Sequence, residues 1–245
     1  DEGTGKAILI DAGEQGADVA GQLAALGVRR LDGVIATHPH SDHIGGMQAV
    51  VESVPVEWMI DSGLAHATVT YRDLLKASNQ RNVAYQRGHS GQVIELGDDA
   101  TLTVLFPGDT YLSDTRSDLN SNSVVVLLDH GEVQMLFTGD AEAPTEQALV
   151  DAGLPDIEVL KVPHHGSGHS STLPFLRALR PEFAVISCGE DNKFGHPDAE
   201  TLDRLAEVHA TVYRTDTMGH VMAISDGTDI TWHTGSASQV ARRAP

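Results

Sequence analysis

The feature that most constrains this chain is residues 37–46, which read Thr-His-Pro-His-Ser-Asp-His-Ile-Gly-Gly. The segment follows a short apolar run that predicts a strand, and it precedes a pattern typical of a helix. Its imidazoles and carboxylate are crowded together and are side chains that bind divalent metals. His38 and His40 are two residues apart, so an extended loop directs both at one ion, while Asp42 and His43 turn toward a second ion as the helix begins. The segment therefore predicts a metal site at a strand end.

Short apolar, β-rich runs alternate with helical patterns along the whole chain, and the middle of the chain is predicted to be almost wholly β. We predict helices at residues 17–26, 44–52, 69–77, 143–150, 172–179 and 198–209. Interleaved helices near both ends and a β-rich middle predict an α/β (α+β) fold with two packed sheets and helices outside. We expect a single hydrolase domain over residues 1–235 and a flexible tail over 236–245.

Charge and cysteine content exclude several classes of protein. The formal net charge is −19, so the chain cannot hold nucleic acid by charge alone, and a bound metal is the obvious source of positive potential. Cys188 is the only cysteine, which excludes an intrachain disulfide and a cysteine-based zinc cluster. The longest apolar run, 124–128, is far shorter than the roughly 18 residues that a membrane span needs.

Two further predicted strands end in side chains of the same kind. Asp140 follows a glycine after one strand, where a carboxylate can bridge two metals. His164 and His165 follow another, and one of them can bind a metal while the other faces a substrate oxygen. Ligands in α/β sheets cluster beyond strand ends, so a shared site is the simplest interpretation.

The pattern His38-x-His40-x-Asp42-His43 resembles the signature of the metallo-β-lactamase fold. Further segments narrow the match, at residues 120–126, 138–140, 162–167, 192–197 and 213–215. Between residues 7 and 226 the chain resembles the extracytoplasmic nuclease-like domain of the competence protein ComEC and its stand-alone relatives. The resemblance implies a four-layer αββα sandwich and a metal-dependent phosphodiesterase or nuclease, acting on DNA in competence-type uptake or processing. It also implies an extracytoplasmic location and allows that the chain is part of a larger membrane protein.

The resemblance and the motifs together give a set of expected site residues. The expected metal ligands, for two divalent ions of zinc or manganese, are His38, His40, Asp42, His43, Asp140 and His165. The expected catalytic residues are Asp42, His164 and His196, and the expected substrate contacts are Asn120, Ser123, Ser167, Arg72 and Lys76. Two such ions would activate a water molecule and neutralise charge on phosphate oxygens, with DNA as the expected substrate and partner.

Two departures from the family pattern leave alternatives open. Two-metal hydrolases of this fold supply a third histidine to the first site, whereas the matching position here falls within residues 120–123. Water would complete that site, or His66 or His89 would replace the ligand. The glycine-rich segment that usually opens such domains is also not seen before residue 7.

Other functions of the same fold are also compatible with the motifs. They are phosphodiester hydrolysis on a small or cell-wall (phosphocholine-type) ester, hydrolysis of a lactam or ester, and a non-catalytic binding module. The complete ligand set argues against the last, because a degenerate copy should lose ligands first.

One stretch is basic within this acidic chain. Residues 71–87 contain a single acidic residue, Asp73, and four basic ones, Arg72, Lys76, Arg81 and Arg87. The stretch is either an ordinary helix face and loop or a rim that contacts a nucleic-acid backbone, with a nearby tyrosine offering a stacking face.

Overall fold

The computed structural model describes residues 4–97 and 99–243. In chain order its elements are β1 (Ile8–Ile10), α1 (Val19–Ala25), β2 (Leu31–Ala36), α2 (Ser41–Ile44), α3 (Met47–Ser53), β3 (Val56–Asp61), α4 (Val69–Gln80), β4 (Ala84–Arg87), β5 (Val93–Glu95), β6 (Ala100–Phe106), α5 (Asp118–Ser121), β7 (Val125–His130), β8 (Val133–Phe137), α6 (Ala143–Ala152), β9 (Val159–Lys161), a 3-10 turn (Pro163–Gly166), α7 (Leu173–Leu179), β10 (Phe183–Ile186), α8 (Ala199–Glu207), β11 (Thr211–Arg214), α9 (Thr215–Met218), β12 (His220–Ser225), β13 (Ile230–Gly235) and α10 (Ala237–Ala241).

The strands form two large sheets and a hairpin. The first sheet has the order β1-β2-β3-β4 and is wholly parallel. The second has the order β11-β10-β9-β8-β7-β6-β5, with parallel pairing from β8 to β11 and antiparallel pairing from β5 to β8. Strands β12 and β13 pair with each other in antiparallel fashion. The parallel portions place several strand ends at one edge of each sheet, as the sequence motifs require.

Apolar side chains on the inner faces of the two sheets pack against each other. Ile35 and Ile60 of the first sheet share one buried cluster with Val104 and Val126 of the second. Burial along strand β6 alternates residue by residue, as expected for a strand whose two faces have different surroundings.

Helices cover both outer faces. Val50 of α3 and Leu74 of α4 are fully buried in a cluster with Val34 of the first sheet. Phe175 of α7 is buried with Leu160 of the second sheet, in a cluster that also includes residues of α6 and α8. The predicted arrangement, two packed sheets with helices outside, is confirmed as an αββα sandwich.

The helix predicted over 44–52 is wrong at its start, because the chain forms α2 and α3 with a break between them. The carbonyl oxygen of His43 accepts a hydrogen bond from the backbone N–H of Ala12 at 2.7 Å. The N–H of Gly46 donates to the carbonyl of Gly13 at 3.1 Å. Neither group is left to continue a helix, and the loop after β1 is thereby bonded to the histidine segment.

Within the segment predicted as a flexible tail, the structure has helix α10. Ser236 and Gln239 form a capping box at its start, and Val240 is buried. Helix α10 contacts α1 and both strands of the hairpin. Residues 244–245 of the predicted tail lie outside the described residues. Across the described part of the chain, no helix combines the length and apolar character needed to cross a bilayer.

Candidate metal centre

The predicted ligands come together where strands of the two sheets end. Ligand atoms of His38, His43 and Asp140 lie within 4.8 Å of one another. Ligand atoms of Asp42, His43 and His165 form a second group within the same limit. Strands β2 and β8, which carry the first group, belong to different sheets, so the αββα packing assembles the site.

The two carboxylate oxygens of Asp140 face different imidazoles. Its Oδ2 lies 3.8 Å from Nε2 of His38 and 3.7 Å from Nε2 of His164. Its Oδ1 lies 3.1 Å from Nε2 of His43 and 3.6 Å from Nε2 of His165. The carboxylate therefore stands between two groups of imidazoles, as a bridging ligand would.

Close pairs of ring nitrogens lie on each side of the Asp140 carboxylate. Nε2 of His38 lies 2.9 Å from Nδ1 of His40. On the other side, Nε2 of His43 lies 3.2 Å from Nε2 of His165, which is 3.7 Å from Oδ2 of Asp42. We call His38, His40 and His164 the first set, and Asp42, His43 and His165 the second set.

The chemistry of these atoms fits divalent cations. Oδ1 of Asp140 is buried without a hydrogen bond among the described residues, although Nε2 of His43 is close. Ring nitrogens that face one another cannot all be proton donors, and lone pairs that converge on one point suit a metal ion. Imidazole and carboxylate ligands are those that zinc takes, and manganese also accepts them.

Asp11, at the end of β1, supports both sets and was not predicted from the sequence. Its Oδ1 accepts the backbone N–H of Thr37 at 2.8 Å, and its Oδ2 accepts the Thr37 hydroxyl at 2.8 Å. Since that hydroxyl gives its proton to Asp11, it accepts from Nδ1 of His38, 3.2 Å away. Nε2 of His38 is left with a lone pair toward Asp140. The available signal was a carboxylate at a predicted strand end, which alone is a common turn.

Burial and charge give the imidazoles different protonation preferences. Burial lowers the pKa of His38, His40, His164 and His165, so these rings favour the neutral form that binds metal. Burial also acts to lower the pKa of His43, but the carboxylates of Asp140 and Asp11 outweigh it and raise that pKa to about 10. Burial acts to raise the pKa of Asp140, and the nearby His43 holds it well below its usual value instead.

Gly139 allows the strand end of β8 to reach the histidine segment. Its φ is +52°, and an added Cβ would lie 2.7 Å from Cβ of Thr37. The following residue, Asp140, donates its backbone N–H to the hydroxyl of Ser123 at 3.2 Å. Ser123 is fully buried and supports Asp140 through this bond, and its expected contact with substrate stays a prediction.

A second expected substrate contact, Ser167, is also internal. Its side chain is buried, its hydroxyl accepts the N–H of His169 at 3.4 Å, and its carbonyl accepts the hydroxyl of Thr201 at 3.1 Å. These bonds shape the turn that carries the adjacent histidines. Ser167 therefore lies beneath the surface of the loop, and its contact with substrate stays a prediction.

Asn120 does lie at the site, in a network that the sequence did not reveal. Its Nδ2 donates to Oε1 of buried Glu142 at 3.1 Å, and the guanidinium of Arg116 pairs with the same oxygen. That oxygen is 3.6 Å from Nδ1 of His164, so Glu142 stands behind the ring. Only the assembled fold brings these side chains together, since no short motif joins them.

The site opens into a cleft made of two connected recesses of about 460 and 740 Å³. Both recesses are lined by Glu14, Asp42, His165, Lys193, Phe194 and His196. The first recess also holds His66, whose ring centroid is 5.9 Å from that of His40. His89 is exposed, lines neither recess and contacts the carbonyl of Ser90 at 3.1 Å. Of the two suggested replacement ligands, only His66 is near the first set.

The structure does not place the predicted basic contacts on the cleft. Arg72 is exposed and pairs with Asp73 at 3.4 Å, and Lys76 lines a small groove with Gln48 and Glu52. Helix α4 carries them on the outer layer of the sandwich, so neither lines a recess. Contact of these two side chains with a nucleic-acid backbone therefore stays a prediction, at a surface away from the cleft. Lys193 and Arg116 are the basic side chains that line the cleft.

Comparison with known proteins supports the family suggested by the motifs. A family model described as the metallo-beta-lactamase superfamily matches residues 2–190. ComE operon protein 3 of Bacillus subtilis (strain 168) is 30% identical over 201 residues, covering 81% of this chain and 25% of that protein. Recombination protein 2 of Haemophilus influenzae is 32% identical over 224 residues, covering 89% of this chain and 26% of that protein. This chain thus spans about a quarter of the length of these curated relatives.

A third relative and a solved structure agree with this result. Competence protein ComA of Neisseria gonorrhoeae is 32% identical over 217 residues, covering 86% of this chain and 28% of that protein. The crystal structure of CmlA, a diiron beta-hydroxylase from Streptomyces venezuelae, superposes with a TM-score of 0.50 and 15% identity. It covers 76% of this chain and 44% of that one, and it shows the fold alone.

Proposed function

Because this chain belongs to the metallo-β-lactamase superfamily, we propose that it is a metal-dependent phosphodiesterase that cleaves DNA. Its relatives and its histidine–aspartate clusters support the coarser activity of a metal-dependent hydrolase. The competence-associated names of its relatives favour DNA as the substrate. We further propose, on the family resemblance of the motifs, an extracytoplasmic role within a larger membrane protein; this chain matches about a quarter of each relative.

The observation that carries the proposal is the position of Asp140 between the two sets of imidazoles. Each set would hold one divalent ion, zinc or manganese, with Asp140 shared. When bound, such ions activate a water molecule and neutralise charge on the phosphate oxygens. We assign His164 to the first set, because its Nε2 and that of His38 are nearly equidistant from Oδ2 of Asp140. His164 thereby supplies the imidazole that the Asn120 region lacks.

The remaining roles fall to side chains on the cleft wall. His196 directs Nδ1 toward Oδ1 of Asp198 at 3.3 Å, and Asp198 is itself held by the N–H of Gly168 at 2.6 Å. This leaves the other ring nitrogen of His196 to hold the phosphate or protonate the leaving oxygen. Asp42 lines both recesses, so besides binding metal it can accept a proton from the attacking water.

The shape of the cleft favours a polymeric substrate. The two recesses meet at the second set, where Asp42 and His165 line both. A strand could therefore extend to either side of the phosphodiester that is cleaved. A small ester would need only one recess.

The test is metal analysis combined with hydrolysis of single-stranded DNA, double-stranded DNA and bis(p-nitrophenyl) phosphate. We expect about two ions per chain and cleavage of DNA that stops when a chelator removes the metal. Cleavage of bis(p-nitrophenyl) phosphate without cleavage of DNA would favour a small or cell-wall ester. Bound metal without any turnover would favour a non-catalytic binding module.

A further inference from the structure

An exposed aromatic side chain stands on the wall of the metal cleft. Phe194 is 62% exposed and lines both recesses, in a chain with only 4% aromatic residues. Among the described residues the other exposed aromatic side chain is Tyr85, which lines neither recess and donates its hydroxyl to Asp61 at 2.6 Å. An apolar ring left in water beside a catalytic cleft suggests a ligand surface.

The loop that carries Phe194 is held in shape by Asn192. Its Nδ2 donates to the carbonyls of Gly189 at 2.9 Å and His196 at 2.7 Å, and its Oδ1 accepts the N–H of His196 at 2.9 Å. Gly195, with φ of +74°, makes the sharp turn between the two rings. The loop is therefore built to present Phe194 and His196 together.

The rings form a continuous path to the ligands. Phe194 and His196 are nearly parallel, at 16° with centroids 5.8 Å apart. The centroid of His196 is 6.1 Å from that of His164. The ring of Phe194 is thus 5.8 Å from that of His196, the proposed phosphate contact. A single nucleotide spans such a separation between its base and its phosphate.

Lys193 adds a positive charge to the same wall. Its Nζ lies 4.9 Å from the ring centroid of Phe194, within the range of a cation–π contact. On a chain with net charge −19, a lysine on the cleft lowers the repulsion that a phosphate backbone meets. An aromatic face beside a cation is the usual combination in single-strand binding sites.

We propose that Phe194 stacks on a nucleobase next to the scissile phosphate, while Lys193 contacts a neighbouring phosphate. The inference rests on the proposed phosphodiesterase function and identifies its substrate class as a nucleotide chain with accessible bases. Stacking is tolerant of base identity because every base has a π face. The site would therefore distinguish a nucleic acid from a base-free phosphodiester without reading its sequence.

The test compares two ligands that differ only in the base. Binding of thymidine 5′-monophosphate and of deoxyribose 5-phosphate to the zinc-loaded protein is measured by calorimetry. Both are monoesters, so the measurement does not depend on phosphodiester cleavage. We expect the nucleotide to bind about 10- to 100-fold more tightly in the unaltered protein, and Phe194→Ala to remove that difference.

Two further variants sharpen the comparison. Phe194→Trp keeps a stacking face and should retain the preference for the nucleotide. Val69→Ala removes an equally exposed apolar side chain, 61% exposed, which lines neither recess, and should change nothing.

The outcomes separate this inference from the proposed function. Equal binding of the two ligands by the unaltered protein would overturn it, as would a Phe194→Ala variant that still prefers the nucleotide or loses both ligands equally. A preference that depends on Phe194, in a protein that cleaves no phosphodiester, would uphold the base subsite and reject the proposed hydrolysis.

Discussion

Oδ2 of Asp11 lies 2.7 Å from Nδ1 of His43, at the edge where the first two strands of the parallel sheet end. The same carboxylate accepts both the backbone N–H and the hydroxyl of Thr37. Through these bonds Asp11 directs Nε2 of His43 toward Asp140, and through Thr37 it does the same for His38. One carboxylate outside both sets therefore orients an imidazole in each set.

Replacing Asp11 should weaken metal binding without removing a ligand. We expect Asp11→Asn to lower zinc affinity about 10- to 100-fold, the usual effect of losing a group that orients a ligating histidine. Competition with a chromophoric chelator measures the affinity. Asp32→Asn is the matched control, because Asp32 binds the N–H of Ala7 at 2.8 Å at the opposite end of the same strands. Unchanged affinity in Asp11→Asn would show that the histidines orient themselves.

Metal uptake should release a proton from His43. Its pKa is raised to about 10, so at pH 8 the ring carries a proton in the metal-free protein, whereas a ligating imidazole must be neutral. The other imidazoles of the two sets have lowered pKa values and release none at that pH. We expect about one proton per chain from His43 on adding zinc at pH 8, in addition to any proton lost by a metal-bound water, read with an indicator dye in weak buffer.

The same experiment has a built-in control. Asp11→Asn removes one of the carboxylates that raise the pKa of His43, so less proton should be released at pH 8 and zinc affinity should rise less steeply with pH. Release of no proton by the unaltered protein would mean that His43 is already neutral in the metal-free protein. Another group would then compensate the negative charge of Asp140.

The adjacent histidines should affect different ions. Nε2 of His165 is 3.2 Å from that of His43, whereas Nε2 of His164 faces the opposite oxygen of Asp140. We therefore expect each of His164→Ala and His165→Ala to lose about one ion of two, with the loss at different sites. Metal analysis with spectroscopy of a cobalt-substituted protein would distinguish the sites. A His164→Ala protein that keeps both ions but loses rate would make His164 the phosphate contact expected from the sequence.

The site residues that could be predicted from the sequence are those that lie in short contiguous motifs. His38 to His43 are contiguous, and Asp140 and His165 each follow a strand whose apolar run is plain. Parallel strand ends meet at one edge of each sheet, and the packing of the two sheets brings those edges together. The same reasoning gave the layered fold, because interleaved helices and strands leave few other ways to bury both faces of two sheets.

The contacts that depend on distant packing could not be predicted. Ser123 and Ser167 lie in polar motifs, but the folded chain buries both, the first beneath the backbone of Asp140 and the second beneath α8. Arg72 and Lys76 formed the most basic stretch, yet the helix they lie on belongs to the outer layer. Local composition shows which side chains are charged, whereas only the layer order shows which surface they reach.

Removing the shared carboxylate should separate folding from catalysis. Asp140→Ala deletes the group that faces both sets, so we expect loss of paired metal binding and at least a 100-fold fall in hydrolysis. The fold should persist, since Asp140 belongs to none of the apolar clusters between the sheets or beneath the helices. Circular dichroism and metal analysis on the same sample check both expectations. Full turnover by this variant, or by chelator-treated protein, would reject the two-ion site.

The path of the substrate can be mapped by reversing charge at two places. Lys193 lines both recesses, whereas Arg72 and Lys76 line neither. We expect Lys193→Glu to weaken binding of a cleavage-resistant phosphorothioate oligonucleotide and to reduce the slope of log affinity against log salt by about one unit. The double variant Arg72→Glu/Lys76→Glu should bind with an unchanged slope. Anisotropy titrations at several salt concentrations compare the three proteins. The reverse result would mean that the strand runs over α4, as the basic stretch in the sequence suggested, and that the cleft admits only the phosphate being cleaved.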